Sequence, residues 1–274
     1  MNEAEWTTVE DALAQGDPDR FVSTFFAPST RRRALIALYA FDHEVSRIGA
    51  VAQEPMAGHI RLAWWREQIG AIYSGGVLDA PVGRALAEAC RAHDLPQATF
   101  ERYLDARALD LEEVPFQDEA ALLRHAAGVS AALFGLAVRV LGVGERADNA
   151  AHEAGLASAM AGHLREFHRF AARRRCRVPV SWMDAAGLNA EDLFAATGAT
   201  PALRQALTPF CVLARTALVK INRMTFPRAA MPALAPATMA RWPIGSRFKP
   251  LQPDPMSSWQ RVARLSLANL LWRV

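Results

Sequence analysis

Apolar residues recur every three or four positions along almost the whole chain, and no stretch longer than a few residues alternates between apolar and polar side chains. One clear example runs through Ala34, Leu38, Phe41 and Val45, which would share one face of a helix that begins near Thr30. This spacing is typical of amphipathic helices and not of half-buried strands. The pattern therefore predicts an all-α fold.

Proline, glycine, aspartate or asparagine marks the boundary of each predicted helix. Pro55 stands at a favourable first-turn position, and Gly75 and Gly76 end the helix that it begins. The segment 120–172 is rich in small residues, which let helices approach closely, so we expect it to form the centre of the bundle. The predicted helices cover about residues 9–14, 30–45, 55–73, 81–93, 96–111, 119–141, 149–173, 191–195, 202–224 and 259–272.

The C-terminal region differs from the rest of the chain. Seven of the sixteen prolines fall between Pro227 and Pro255, which excludes a long helix there. We expect a wrapping segment in the first part of residues 227–274, followed by the last helix. In that helix the apolar positions expected to dock on the bundle are Val262, Leu265, Leu270 and Leu271. Because no internal repeat or linker is visible, we predict a single domain over residues 1–274.

Composition narrows the class of protein. The chain has 274 residues, of which 51% are apolar and 22% charged, so it should bury a core and not be disordered or fibrous. Its three cysteines, Cys90, Cys176 and Cys211, are far apart and without paired spacing, which argues against a zinc cluster or a disulfide framework. No window approaches about 18 uncharged apolar residues, and the N-terminus is acidic. We therefore expect a cytoplasmic protein.

Charge is distributed unevenly along the chain. Residues 193–274 hold eleven basic residues and one acid and carry +10, whereas the first 192 residues carry −7. Such a division suggests an acidic partner, an anionic membrane surface at the inner face of the membrane, or docking of the basic part on the chain's own acidic part. Nucleic-acid binding is not expected, because no binding module is recognisable. The basic region also contains Trp242, Phe248, Trp259 and Trp272, a composition suited to an anionic interface.

Four stretches carry a resemblance to a known family, in matching order and spacing. They are RRRALIALYAF at residues 31–41, RLAWWREQI at 61–69, LDAR at 104–107 leading to Asp110, and LRE at 164–166 leading to RVP at 177–179. Over about residues 21–179 the chain resembles the squalene/phytoene synthases. The resemblance implies an isoprenoid-synthase-like helical bundle around a central cavity. It also implies head-to-head condensation of two prenyl diphosphates, with Mg²⁺ held by two Asp-x-x-x-Asp motifs on facing helices.

The positions of those acidic motifs are altered in this chain. Counting from the matched stretches places the four metal positions of the family on Ser46, Ala50, Glu166 and Phe170. Only Glu166 is a carboxylate, whereas Mg²⁺ prefers several hard oxygen ligands. Asp42 lies one turn before Ser46 but restores no carboxylate pair on that helix. We therefore expect no catalytic residue and no cofactor; if the chain is active, Glu166 and Asp42 would have to bind Mg²⁺.

The resemblance is greatest to a divergent branch of the family with degraded acidic motifs, which includes the mitochondrial assembly factor of respiratory complex I. It implies a non-catalytic binding or assembly factor with a protein partner, such as respiratory complex subunits. The alternative is an active Mg²⁺-dependent prenyltransferase of the phytoene or squalene synthase type. A third interpretation is a protein that binds a lipid or isoprenoid ligand in the inherited cavity.

Five basic residues are candidates for binding a phosphate or lipid head group: Arg66, Arg173, Arg174, Arg175 and Arg177. The resemblance places the last four where family members have basic residues that contact diphosphate. The competing interpretation of the last four is a solvated helix end, where cations are favourable to the helix dipole.

Four further residues are weaker candidates. Asp105 and Asp110 are five positions apart and do not share a helix face well, which disfavours a catalytic pair. His125 lies near a tyrosine position of the family, where the local match is loose. Cys176 stands among arginines, which could lower the pKa of its thiol.

Overall fold

The computed structural model describes residues 1–51, 55–112, 115–245, 249–252, 256–271 and 273–274, except the side chains of Ala50 and Val51. Within these ranges the regular structure is α-helix with short 3₁₀ and π segments, and no described residue lies in a β-strand. The all-α prediction is confirmed.

The helices follow one another with short connections. Their bounds are α1 Glu3–Gly16, α2 Pro18–Thr24, α3 Ser29–Val51, α4 Pro55–Ser74, α5 Pro81–His93, α6 Gln97–Ala108, α7 Glu119–Ala126, α8 Ala132–Val140, α9 Gly144–Ala172, α10 Val180–Ala185, α11 Ala190–Phe194, α12 Pro201–Arg223, α13 Met231–Leu234 and α14 Ser258–Leu271. A π-helical segment, Ala127–Ala131, joins α7 to α8, and 3₁₀ turns flank α13.

Three short helices, α2, α10 and α13, were not predicted. Seven, six and four residues are too few to show a 3.6-residue period, so their formation depends on local signals. In α2 these signals are Pro18 in the first turn and the side chain of Asp17, which accepts a hydrogen bond from the Arg20 amide. Helix α1 is also longer than predicted, because Asn2 and Glu5 form a reciprocal capping box at its start.

Helix α9 is the centre of the bundle and packs against α8, α12 and the π-helical segment. A side chain at Gly155 would place its Cβ 2.3 Å from the Cα of Ala131, so only glycine permits this approach. The predicted central position of the small-residue segment is thus confirmed.

One described helical stretch, Glu119–Val140, is long and apolar enough to cross a membrane by length and composition alone. Arg124 and Arg139 interrupt this stretch, so its sequence contains no uncharged run of about 18 residues. Within the fold, 56% of its most apolar window is buried, as in the core helix of a soluble bundle. The stretch lies beside α9 and supplies one wall of the central cavity.

The core consists of two clusters of buried apolar residues. The larger contains Phe41, Trp65 and Phe100 in edge-to-face contact, and the smaller contains Phe167 and Phe210. Helix α9 contributes to both clusters. The single-domain organisation of residues 1–274 stays a prediction.

The last helix docks through a different face from the one predicted. Leu265 is buried as expected, but Val262, Leu270 and Leu271 are exposed. The prediction for these three residues is wrong because the inner side of α14 is largely polar: it carries Arg261, Arg264 and Asn269 beside Leu265 and Ala268, all buried or half-buried. Phe248 and Trp272 lie outside the described residues.

Candidate functional site

A cavity of about 220 Å³ lies between α3, α9, the end of α6 and the π-helical segment. Helices α3 and α9 supply opposite walls, and the chain that follows α9 closes the polar side. Two carboxylates and four arginines line it, so this group of side chains carries a net charge of +2. They are Arg107, Asp110, Glu166, Arg173, Arg175 and Arg177.

Asp110 is the centre of the polar network in this cavity. Its Oδ2 lies 3.1 Å from Arg107 Nη1, and its Oδ1 lies 3.0 Å from both Arg177 Nη1 and His125 Nε2. Its backbone carbonyl accepts hydrogen bonds from Arg175 and Arg177, at 3.2 and 3.0 Å. Burial alone would raise the pKa of Asp110, but the bond to His125 and the charges of Arg177 and Arg107 hold it well below its usual value.

A second buried carboxylate, Asp42 on α3, is bound by arginines and is not among the described residues that line the cavity. Arg20 Nη1 lies 2.5 Å from its Oδ2, Arg107 Nη2 lies 2.8 Å from its Oδ1, and the hydroxyl of Tyr103 donates to the same Oδ1. Burial raises the pKa of Asp42, but the two guanidinium groups outweigh it and lower the pKa to about 2. Because Arg107 contacts both Asp42 and Asp110, one guanidinium links the interior of the bundle to the cavity.

His163 on α9 lies on the apolar side of the cavity. Its ring packs among Phe116, Phe170 and Phe210, with centroid separations of 6.3, 6.4 and 5.4 Å. Burial and the nearby charge of Arg177 lower the pKa of His163 to about 3. The imidazole is therefore neutral at pH 7.

The structure brings three of the four family metal positions to this cavity. Ser46 on α3 lines it opposite Glu166 and Phe170 on α9, as facing helices require. The hydroxyl of Ser46 donates to the carbonyl of His43 at 3.0 Å, and Glu166 pairs with Arg169 at 2.8 Å. Ala50 lies in the last turn of α3, and its side chain is outside the described residues.

These residues do not fit a Mg²⁺ site. Phenylalanine and alanine supply no ligand atom, and the carboxylate of Glu166 faces a guanidinium. The other carboxylate among the described lining residues, Asp110, is paired with two arginines. Within the described part of the chain, no three His, Cys, Asp or Glu side chains come together as a metal site would need.

The five candidate arginines divide into two groups. Arg173, Arg175 and Arg177 line the cavity. Arg174 adopts a left-handed backbone conformation (φ 54°), and its guanidinium turns away to pair with Glu191 and lie over the ring of Phe194. Arg66 lies on the exposed side of α4, where it pairs with Asp105 at 2.6 Å. Neither of these two is among the residues that line the cavity.

Of the four weaker candidates, some line the cavity and others do not. Asp105 is exposed whereas Asp110 lines the cavity, as their spacing predicted. His125 does belong to the cavity, through Asp110. The suggestion of a lowered thiol pKa at Cys176 is wrong, since Cys176 is buried and burial raises its pKa. Sequence analysis missed Arg107 and His163 as site residues; the i,i+3 pair of Arg107 with Asp110 was a usable signal.

The sequence model of the family described as "Squalene/phytoene synthase" matches residues 13–263, which is most of the chain. This chain belongs to the squalene/phytoene synthase family. The solved structures of squalene/phytoene synthase members show the same fold. A dehydrosqualene synthase solved with a ligand superposes with a TM-score of 0.83 at 16% identity, covering 98% of this chain and 97% of that one. The squalene synthase from Alicyclobacillus acidocaldarius gives 0.69 at 18% identity, covering 98% and 94%.

Relatives of two kinds occur among the family members of known role. Complex I assembly factor 6 of Bos taurus is 26% identical over 183 residues, 66% of this chain and 55% of that protein. The 15-cis-phytoene synthase of Pantoea ananas is 25% identical over 207 residues, 72% of this chain and 65% of that protein. The chain thus spans about half the length of the assembly factor. The identities to the two kinds of relative are nearly equal.

Proposed function

We propose that this family member is a non-catalytic binding protein that acts in the assembly of a respiratory complex. The observation that carries the proposal is the lining of the cavity, where Ser46 and Phe170 occupy two of the metal positions of the family and Ala50 occupies a third. The similarity to complex I assembly factor 6 supports the assembly role.

The absence of carboxylates at three of the four metal positions argues against prenyl transfer. Removing one positioned electrostatic group from an active site typically costs about 3 kcal/mol of barrier, or roughly 100-fold in rate. The four metal positions act as a unit, so their losses are not additive, but one remaining carboxylate cannot hold the metal cluster that ionises a diphosphate. Asp42 does not replace them, because its carboxylate is held by Arg20 and Arg107.

The cavity is suited to an anionic ligand that needs no metal. Arg173, Arg175 and Arg177 direct positive charge to its polar side, and planar guanidinium groups match phosphate oxygens well. Apolar side chains complete the lining, among them Val129 and Phe170, whose ring lies 5.6 Å from the guanidinium of Arg177. We therefore propose an isoprenoid or lipid ligand with an anionic head group, bound without Mg²⁺.

Two measurements test the non-catalytic assignment: turnover of prenyl diphosphates, and the dependence of their binding on Mg²⁺. Purified protein is incubated with Mg²⁺ and farnesyl or geranylgeranyl diphosphate, with an active phytoene synthase as the positive control. We expect no diphosphate release and, by calorimetry, binding that is unchanged when Mg²⁺ is omitted. Release of diphosphate with a condensed hydrocarbon product would establish the alternative, an active prenyltransferase in which Glu166 and Asp42 bind Mg²⁺.

The assembly role is tested in the organism that carries the gene. Deletion should lower the amount of fully assembled NADH dehydrogenase complex on native gels, and a plasmid copy should restore it. Normal amounts of the complex in the deletion strain would contradict the assembly role and leave ligand binding as the function to pursue.

A further inference from the structure

Helix α14 has its charged and apolar faces reversed relative to an ordinary surface helix. Its two arginines point inward: Arg261 pairs with Asp19 of α2 at 2.6 Å, and Arg264 donates to the carbonyl of Thr238. Most of its large apolar side chains point outward, and Leu265 is the buried exception. A helix that merely covers a globular core does the opposite and buries its apolar stripe.

The outward face is broad and apolar. Trp259, Leu270 and Leu271 are 71%, 67% and 62% exposed, and Val262 and Leu267 are exposed as well. The spacing of residues 259, 263, 267 and 270 places them on one stripe along the helix. We call these residues, with Val262 and Leu271, the outer face of α14; the polar residues beside the stripe, Gln260 and Ser266, are uncharged.

The outer face continues onto neighbouring segments. A groove beside Leu270 and Ser266 is lined across by Phe26 and Pro28, at the turn between α2 and α3. Phe25, the preceding residue, is 52% exposed. An apolar surface that joins two distant parts of the chain is larger than the single exposed leucines usual on soluble proteins.

The charges around this surface are positive. Arg228 lines the groove beside Leu270, Arg273 follows the helix and is exposed, and no carboxylate is among the described residues that line the groove. A second copy of the chain docked face to face would bring these arginines together, which is unfavourable. An anionic lipid surface instead offers both an apolar interior and negative head groups.

We propose that the outer face of α14 is a membrane-docking surface that inserts into the interface of an anionic bilayer. Trp259 is suited to the boundary between head groups and acyl chains, because its ring is large and apolar while its indole N–H can bond to polar groups. Leu267, Leu270 and Leu271 supply the buried apolar area, and Arg228 and Arg273 supply the attraction to lipid head groups. This inference is independent of the proposed function of the cavity.

Co-sedimentation of the full chain with vesicles tests the proposal. Vesicles of phosphatidylcholine are compared with vesicles that also contain phosphatidylglycerol. We expect binding to the anionic vesicles that weakens as salt is raised. The double variant Leu267→Gln/Leu270→Gln should lower the partition coefficient at least about tenfold, since two large side chains no longer enter the apolar layer.

A matched control separates this effect from general surface polarity. Val212 and Val219 on α12 are also exposed, and Val212→Gln/Val219→Gln should leave binding within about twofold. Circular dichroism of each variant verifies that the helices persist. The proposal is overturned if wild-type protein does not bind anionic vesicles, or if both double variants bind equally well. It is also overturned in favour of a dimer if the α14 variant abolishes self-association measured by sedimentation velocity without lipid.

Discussion

Arg177 contacts Asp110 through both of its terminal nitrogens: Nη1 forms an ion pair with the carboxylate Oδ1 at 3.0 Å, and Nη2 donates to the backbone carbonyl at 3.0 Å. The side chains of Arg107 and His125 also contact this carboxylate. A segment that follows α9 is thereby fixed to the end of α6, across the cavity.

Asp110→Asn should destabilise the fold, because it removes the negative charge that balances two largely buried guanidinium groups. We expect a loss of about 3 kcal/mol in the free energy of unfolding, measured by urea denaturation. Asp105→Asn on α6 is the matched control, since Asp105 pairs with Arg66 at the exposed surface. Its cost should stay below about 1 kcal/mol. Equal losses in the two variants would mean that the Asp110 network stabilises the fold no more than an exposed ion pair does.

The low pKa of Asp42 predicts a defined pH dependence. The pKa is about 2 in the folded protein against an ordinary value of 3.8. A depressed folded-state pKa contributes stability above the unfolded pKa, and this contribution disappears as the pH falls through the folded pKa. The stability advantage of wild type over Asp42→Asn should therefore be constant above about pH 5 and shrink by about 2 kcal/mol between pH 4 and pH 2.

Urea midpoints of the two proteins, measured at intervals from pH 2 to pH 6, give this difference directly. An advantage that does not change over that range would show that Asp42 is not held in its charged form by Arg20 and Arg107.

The contact of Gly155 with the backbone at Ala131 predicts that Gly155→Ala is destabilising. The added methyl would lie 2.3 Å from the Cα of Ala131, and neither helix can move without disturbing the core. We expect a cost of about 2–3 kcal/mol by thermal or urea denaturation. Gly162→Ala, on the same helix with open space around its Cβ, should instead be neutral or stabilising by up to about 1 kcal/mol. Destabilisation by both substitutions to the same extent would argue against a specific close approach at Gly155.

Anion binding in the cavity predicts different effects at two arginines. Arg173 lines the cavity, whereas Arg66 lies on the exposed side of α4. In calorimetric titrations with inorganic diphosphate and no Mg²⁺, Arg173→Gln should weaken binding about tenfold, the loss of one charge-assisted contact. Arg66→Gln should leave the affinity unchanged. A loss of affinity in the Arg66 variant alone would place the anion site outside the cavity.

Local periodicity was sufficient for much of the fold. The predicted helix over residues 81–93 has the same bounds as α5, because its proline start and its apolar spacing are both encoded in that one segment. The prediction for α14 failed although its apolar positions were visible. Periodicity shows that a helix has an apolar side, but whether that side faces the core depends on distant partners, here Asp19 and Thr238.

The candidate site likewise has a part that the sequence predicted and a part that it did not. The resemblance located Ser46, Glu166 and Phe170, because motif spacing fixes their positions within their own helices. In the Asp110 network only the i,i+3 pair with Arg107 was visible in the spacing, since Arg177 is 67 positions away from Asp110. Arg107 likewise reaches Asp42 from 65 positions away. Contacts of that kind are set by the packing of whole helices.

The ion pair of Arg261 with Asp19 joins residues 242 positions apart. During synthesis this contact cannot form until residue 261 has left the ribosome, long after α2 has been made. Helix α14 is therefore among the last helices to dock. Until it does, the surface of α2 that contacts α14 stays uncovered by that helix. Because the inward arginines orient the helix, the apolar stripe acquires its outward direction only at that late step. A ribosome-bound chain that lacks α14 should leave Asp19 without its cation, a state that a folding experiment on truncated nascent chains could detect.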